Sequence, residues 1–374
     1  MEKKIPLNPA DLQVGRPLPW PVYAADGTLL LQQGQVILND RQMQALLERG
    51  LYRDQQPDEV TPEPPAGSAF DQLDGFKSQV WEALKTLRDG LPGNHAGTLN
   101  TVAASLRDYC WKYADPALGT LQLDQQSTYT VIHPIMTALL CELVARHTPL
   151  TEPQRQTLTV AAMTANVGML DMQDMLANQV APLNAYQKRV IAEHPGKSVQ
   201  LLQACGITDG ECLEIVLQHH EKLDGSGYPG GIKAESISLA ARILSLADIY
   251  AAMILPRRYR DGIRAQQALR EIFTQRGKLV DADLAQAFIR EIGVYPPGLF
   301  VKLHNGESGI VIRRGVGGAT KPVVSCYLSP RGGAYERPHL RNTAEREDYG
   351  IKQAVAREAT LPYPLPVIWG LTHT

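Results

Sequence analysis

Two adjacent histidines precede a glycine-rich turn in residues 218–231, which read QHHEKLDGSGYPGG. Neutral imidazole is a common ligand of transition metals, so His219 and His220 are candidate metal ligands. Both side chains can reach one ion only where a helix ends or bends, because neighbouring side chains on a continuous helix point in different directions. The glycines and proline of residues 224–231 are typical of a helix stop. The segment therefore predicts a built metal site at the end of a helix.

Further candidate ligands recur along the middle of the chain at His133, His194 and Asp248, each on or at the end of a predicted helix. A helical bundle can bring such side chains together in its core. Histidine sites with oxygen co-ligands suit iron, manganese, nickel or zinc, and spacing alone does not choose among these metals. Structural alternatives stay open, because His133 could be a satisfied core histidine and Asp248 could cap or brace a helix.

Hydrophobic periodicity divides the chain into four parts and predicts a mainly α, multidomain protein. Residues 1–53 alternate short apolar runs with turn signals and predict a small β-rich module, and the prolines and acids of residues 54–68 predict a linker. Residues 69–298 carry apolar side chains at three- and four-residue steps, which indicates an all-helical domain. Residues 299–374 begin with a hairpin pattern around an Asn-Gly turn. The expected strands are residues 18–23, 29–31, 36–38, 299–303, 309–312 and 323–328.

Composition narrows the class of protein. The 374 residues are 44% hydrophobic and 20% charged, as in a globular protein, and the net charge of −2 gives no general attraction to nucleic acid or to an anionic membrane. No run of about 18 apolar residues is present, so no membrane span is expected. Five cysteines without a CxxC pair argue against disulfides and thiolate ligation, and a cytoplasmic location is expected. They are Cys110, Cys141, Cys205, Cys212 and Cys326.

The segment HHEKLDGSGYPGG, followed by ISLAARILSLADIYAAM, resembles the HD-GYP family of bacterial cyclic di-GMP phosphodiesterases, a branch of the HD superfamily. The resemblance covers roughly residues 125–298. The pattern HHExxDGxGYP is met in full, and its turn residues are Asp224, Gly225, Gly227, Tyr228 and Pro229. In the family, two or three metals bind the conserved histidines and aspartates and activate a water that attacks the phosphodiester. The resemblance also implies that Arg257 and Arg260 contact phosphate.

The His-Asp pair that names the family is missing. By resemblance it should fall in residues 165–169, where the chain reads ANVGM. Ala165 then stands for a ligand histidine, Asn166 for the bridging aspartate, and Met169 for a lysine that helps to hold phosphate. An amide is a neutral, weak ligand, whereas a carboxylate brings negative charge and two oxygens. The family's two metal positions therefore keep unequal sets: His194, His219 and His220 in one, His133 and Asp248 in the other.

These departures predict a degenerate HD-GYP protein in cyclic di-GMP signalling, with at most one divalent transition metal. It would act by binding the nucleotide or a protein partner, such as a GGDEF-type cyclase at the GYP surface. The alternative is a working phosphodiesterase with a one-metal site. A third interpretation treats the histidine pair and its turn as a retained structural element.

Two further expectations concern packing and the first module. Four methionines are expected to pack the core around the site, at positions 163, 169, 172 and 175. Gly225 and Gly227 are interpreted as turn residues, because no GxxxxGK[ST] phosphate loop is present. Residues 1–53 resemble the small β domain often fused ahead of HD-GYP domains in Gram-negative bacteria.

Overall fold

The computed structural model describes residues 69–255, 265–315, 319–357 and 361–370, together with the shorter segments 4–6, 18, 21–24, 28–32, 35–47 and 52–54. The chain divides into two compact units, Met1–Ala66 and Gly67–Thr374. The first holds a small sheet and one helix, and the second holds the other described helices and a second sheet. The expected fold class, mainly helical with β structure at both ends, is confirmed.

The N-terminal unit is a four-stranded antiparallel sheet with one helix. Its elements are β1 Lys4–Pro6, β2 Val22–Tyr23, β3 Leu29–Leu31, α1 Asp40–Leu47 and β4 Tyr52–Asp54, in the sheet order β1-β4-β2-β3. The strand predicted at residues 36–38 is wrong, because this run lies outside the strands of the sheet. Ile37 is nevertheless fully buried with Val22. Its apolar character therefore reflects core packing and not strand pairing.

The helical domain is built around a fully buried helix. Its helices are α2 Ala69–Arg88, α3 His95–Leu123, α4 Tyr129–Ala145, α5 Glu152–Thr164, α6 Leu170–Asn178, α7 Ala185–Ala204, α8 Gly210–Gln218, α9 Leu239–Ile254, α10 Ala265–Gln275 and α11 Ala282–Ile292. Almost every residue of α4 is buried, which is expected of a helix that is apolar on all sides. It packs against α2, α3, α5 and α9. Among the helices described, none is long and apolar enough to cross a bilayer.

A buried ion network joins α3, α4 and α5. Glu142 is 1% exposed and accepts hydrogen bonds of 3.0 Å from Nε of Arg107 and from Nη1 of Arg155. Nη2 of Arg107 also donates to Glu152, whose side chain is 67% exposed. Because a buried charge needs a partner, this network constrains how the three helices pack.

The C-terminal strands form a five-stranded antiparallel sheet in the order β8-β7-β6-β5-β9. The strands are β5 Phe300–Leu303, β6 Ser308–Arg313, β7 Val323–Leu328, β8 Ala334–Asn342 and β9 Ile351–Ala354, and α12 Leu365–Ile368 follows. The expected hairpin is present, but the sheet is larger. Its extra strands, β8 and β9, lie at the two edges and hold no buried residue, which is why their apolar patterns are weak.

The sheet packs directly against the helices. Trp369 lies against Gly119 of α3 so closely that a β-carbon at position 119 would overlap its ring, and Phe70 of α2 meets the same ring edge-on. Arg314, just after β6, pairs with Asp115 of α3 and Glu291 of α11. Apolar contact and ion pairing therefore hold the sheet to the helical domain.

Candidate functional site

The histidine cluster consists of His194, His219 and His220. Helix α8 ends at Gln218, and His219 is its C-cap, so the chain turns between the paired imidazoles and the following loop. One ring nitrogen from each histidine lies within 4.8 Å of the others. His194, from the middle of α7, and His219 are both fully buried. The structure thus brings together the three histidines that the family resemblance assigns to one metal position.

Backbone carbonyls orient two of these rings. Nδ1 of His194 is 2.7 Å from the carbonyl oxygen of Ile191, and Nδ1 of His219 is 2.6 Å from that of Val216. Each Nδ1 therefore carries the proton, which leaves an unshared electron pair on each Nε2.

The two Nε2 atoms are 3.2 Å apart, so both electron pairs can be directed at one ion. Two metal–nitrogen bonds of 2.0–2.1 Å, at tetrahedral or octahedral angles, would place their nitrogens about 2.9–3.4 Å apart. The residues therefore fit a transition metal. A metal bound there would supply Lewis acidity and a more acidic water.

Burial keeps the cluster in the neutral state that ligation requires. Burial, reinforced by the neighbouring His219, lowers the pKa of His194 to about 3. Burial also lowers the pKa of His219, and it holds the pKa of His220 well below its ordinary value, with His219 and His194 contributing. Free electron pairs are therefore available at neutral pH.

Glu221, directly after the histidine pair, braces the glycine-rich turn. It is 4% exposed. Its Oε1 accepts hydrogen bonds from the backbone N–H groups of Gly230 and Gly231 at 2.6 and 3.1 Å, and its Oε2 accepts one from Ile232 at 3.1 Å. These bonds fold the turn back onto the end of α8.

Two motif residues of the turn have structural roles. A β-carbon at Gly227 would lie 2.5 Å from the carbonyl oxygen of His220, so only glycine fits there. Asp224 is exposed and accepts a 2.9 Å bond from the N–H of Ser226, which makes it a turn former. The ring of Tyr228 packs against that of His220 with 4.7 Å between centroids and a tilt of 34°, so the turn also supports the cluster.

A second group, beside the cluster, contains His133, Asn166 and Asp248. Oδ1 of Asp248 lies 3.4 Å from Nε2 of His133 and 3.4 Å from Nδ2 of Asn166, which donates to it. Oδ1 of Asn166 is buried and accepts no hydrogen bond from the described residues. The preceding Ala165 is 1% exposed and offers no ligand atom. This group therefore brings one carboxylate and one imidazole where the family resemblance implies a fuller metal set.

Gly168 sets the distance between residues 165–168 and α7. A β-carbon at position 168 would lie 2.5 Å from the backbone nitrogen of Ser198 and 2.7 Å from the carbonyl oxygen of His194. The hydroxyl of Ser198 accepts from the N–H of Gly168 at 2.9 Å and donates to the carbonyl of Ala165 at 2.7 Å. Residues 165–168 are thus locked against the helix that carries His194.

A cavity of about 410 Å³ opens beside both groups. This volume lies within the range of about 300–1,000 Å³ that is common for small-molecule sites. Its lining includes six residues that the sequence analysis named as site residues: His133, Asn166, Met169, His220, Tyr228 and Asp248. It also includes residues that sequence reasoning missed, such as Gln173 and Leu176 of α6, Val180 and Ile191.

The methionines do not all pack the core as expected. Met163 is 2% exposed, and Met169 lines the cavity. Met175 is 51% exposed, so its prediction as a core residue is wrong. It lies on the outer face of α6, two residues after the inward-facing Gln173. Arg257 and Arg260 lie outside the described residues.

Comparison with known proteins identifies similar sequences. Residues 116–284 match the HD domain family. A cyclic di-GMP phosphodiesterase of Pseudomonas aeruginosa is 28% identical over 220 residues, which are 59% of this chain and 53% of the relative. The cyclic di-GMP phosphodiesterase response regulator RpfG of Xanthomonas campestris is 32% identical over 152 residues, or 40% of this chain and 39% of the relative. The matches thus span about half or less of each relative's length.

A solved structure supports the fold. The HDG"Y"P protein of Bdellovibrio bacteriovorus is 15% identical, with a TM-score of 0.52, and the match covers 76% of this chain and 98% of that one. Residues 116–284 therefore match an HD domain, and the helical fold agrees with that match. With its complete HHExxDGxGYP segment, this part of the chain is similar to the HD-GYP branch of the family.

Proposed function

We propose that this chain is a degenerate HD-GYP protein of cyclic di-GMP signalling, which binds the nucleotide with little or no hydrolysis. In this proposal one divalent transition metal binds at His194, His219 and His220. Similarity to cyclic di-GMP phosphodiesterases supports the choice of nucleotide. The cavity beside the histidine cluster, lined by His220, Asp248 and aromatic side chains, supports binding of the nucleotide there.

The observation that carries the proposal is the hydrogen bond from Asn166 to Asp248. Hydrolysis by a metal pair needs ions that stabilise both the attacking and the leaving oxygen. An amide at position 166 offers one neutral oxygen, and Ala165 offers no ligand. Removal of a single electrostatic contributor commonly costs about 10²- to 10³-fold in rate. With two ligands and the phosphate-holding lysine absent, we expect turnover to be marginal.

A protein partner is the second part of the proposal. Pro229 and Gly230, at the tip of the GYP turn, are exposed, whereas Glu221 beneath them is buried and fixes their conformation. Such a rigid, exposed turn suits a protein interface. A GGDEF-type cyclase is the partner that the family resemblance favours.

The alternative function is slow hydrolysis by one metal. The intact histidine cluster favours it, because a single ion can still activate water and polarise a phosphodiester. Both functions use the same cluster and cavity, and turnover separates them.

The test combines metal analysis, calorimetry and a hydrolysis assay on protein purified with and without air. We expect at most one transition ion per chain, measurable binding of cyclic di-GMP, and turnover at or below the detection limit. A His219→Ala variant should lose the ion. Two tightly held ions, or turnover that His219→Ala abolishes, would contradict the proposal and favour hydrolysis.

A further inference from the structure

Gln173 is a buried glutamine with an unused side chain. It is 4% exposed, and its amide makes no hydrogen bond with any described residue. The amide atoms are not fully enclosed by protein, so the small exposed part of this residue includes them. A polar group in this position faces a space that water or a ligand can occupy.

The position of Gln173 shows that this space is the cavity beside the histidine cluster. Met169, Gln173 and Leu176 follow one another at steps of four and three residues, so they share the face of α6 that lines the 410 Å³ cavity. The amide therefore belongs to the wall of a site that also contains His220 and Asp248. A ligand in this cavity would meet the amide and the histidine cluster together.

A nearby glutamine pair shows that the chain can satisfy such side chains internally. Gln179 and Gln187 exchange hydrogen bonds of 3.2 and 2.5 Å through their amides. Gln187 also holds the N-terminus of α7 by accepting from the N–H of Asn184. Gln173 has no such role, although it is equally buried.

The rest of the cavity suits a flat, largely apolar ring. Leu176, Val180 and Ile191 supply aliphatic surface, and Tyr129 and Tyr228 supply aromatic rings. Aromatic side chains commonly stack on nucleobases, and an apolar wall excludes water from the base edge. An amide within such a wall is placed to select a base by hydrogen bonding.

We propose that Gln173 recognises a purine base of the bound nucleotide through a pair of hydrogen bonds. This inference rests on the proposed function, in which the cavity takes a cyclic dinucleotide. A carboxamide presents a donor and an acceptor side by side. It therefore matches the N1–H and O6 of guanine, and it also matches the N6–H and N7 of adenine. Gln173 is then a specificity-determining residue, and the histidine cluster binds the phosphate end.

The experiment is calorimetric titration of the purified chain with cyclic di-GMP and with cyclic di-AMP. Gln173→Met keeps the length and buried volume of the side chain but removes both hydrogen bonds. We expect its affinity for cyclic di-GMP to fall roughly 10- to 100-fold. Its thermal unfolding midpoint without nucleotide should be unchanged, because the amide makes no hydrogen bond with the described residues. Gln203→Met, at an exposed position of α7, is the matched control and should bind like the parent.

A second variant tests the pattern of donors and acceptors. A carboxylate accepts two hydrogen bonds, which matches the adjacent N1–H and N2–H groups of guanine, whereas adenine has no such pair. Gln173→Glu should therefore raise the ratio of cyclic di-GMP affinity to cyclic di-AMP affinity by at least 10-fold.

The outcomes separate the two proposals. If Gln173→Met and the parent bind cyclic di-GMP equally tightly, the proposed role of Gln173 is wrong. The proposed function is then unaffected. A parent protein that binds neither dinucleotide would overturn both this role and the proposed function.

Discussion

The side-chain nitrogen of Asn166 donates to Oδ1 of Asp248 across 3.4 Å. If position 166 carried an aspartate, two carboxylates would face each other, and both could ionise only with a cation between them. The amide removes that requirement, because it places a donor against the remaining carboxylate. The contact with Asp248 also orients the amide, since the opposite orientation would bring two oxygens together.

Restoring the missing pair should create a second metal position. We expect the Ala165→His, Asn166→Asp double variant to bind more metal than the parent, moving from at most one ion per chain toward two. Met169→Lys would be added if phosphate binding stays weak. Metal content after dialysis against manganese or iron measures the effect.

The Asn166→Asp single variant is the control for this experiment. In chelator it should unfold at a lower temperature than the parent, because two carboxylates then share a buried site. Added metal should reverse the loss. A folded double variant that binds no more metal than the parent would show that the pocket has closed around Ala165, which is 1% exposed.

Glu221→Gln should loosen the GYP turn. The amide cannot accept from all three N–H groups of residues 230–232, because its NH₂ group would face a donor. We expect a loss of about 2–3 kcal/mol in local stability, which hydrogen exchange of residues 221–232 would detect. Metal affinity should fall as well, because the turn follows His220 directly. Glu235→Gln, at an exposed site in the same loop, should change neither property.

Glu142→Gln should destabilise the helical domain by about 3–5 kcal/mol. The change leaves Arg107 and Arg155 without their buried counter-charge. Glu152→Gln is a matched control, because Glu152 contacts the same two arginines but is 67% exposed in its side chain. It should cost at most about 1 kcal/mol. Equal losses of unfolding free energy in urea would refute a special role for the buried carboxylate.

Acid should weaken the C-terminal sheet through Glu307. Hydrogen bonds from Arg341, with help from Tyr335 and Asn305, lower the pKa of this carboxyl to about 2 from an ordinary value of 4.5. A lowered pKa stabilises the fold above the ordinary value, and that stabilisation is lost as pH falls from 4.5 toward 2. The difference in unfolding free energy between the parent and Glu307→Gln should be about 1–3 kcal/mol at pH 7.

This difference should shrink toward zero near pH 2, because a protonated glutamate resembles glutamine. Thermal unfolding of both proteins from pH 7 to pH 2 measures it. A difference that stays constant over this range would mean that Glu307 does not titrate with the sheet.

The histidine cluster could be predicted because its signals are local. Adjacent histidines before a glycine-rich turn imply a helix end, and α8 ends at the predicted place. The brace at Glu221 could not be predicted, because its partners are backbone N–H groups nine to eleven residues later. Gln173 carries no signature either, since a glutamine within a helix is usually exposed. Edge strands β8 and β9 were missed because they bury no residue.

Because Gly168 packs directly against α7, the backbone of residues 165–168 is positioned independently of the side chains that would act in the site. The two metal ligands and the lysine that the family resemblance implies at positions 165, 166 and 169 would all act through side chains, whereas Gly168 packs against α7 because it has none. The distance from this segment to His194 therefore does not depend on which side chains stand beside Gly168. In the proposed degenerate site, a catalytic side chain could therefore be lost, or regained, without moving its neighbours. Such a loss would be reversible in evolution by point substitution, because the backbone that would carry a restored ligand keeps its place against α7.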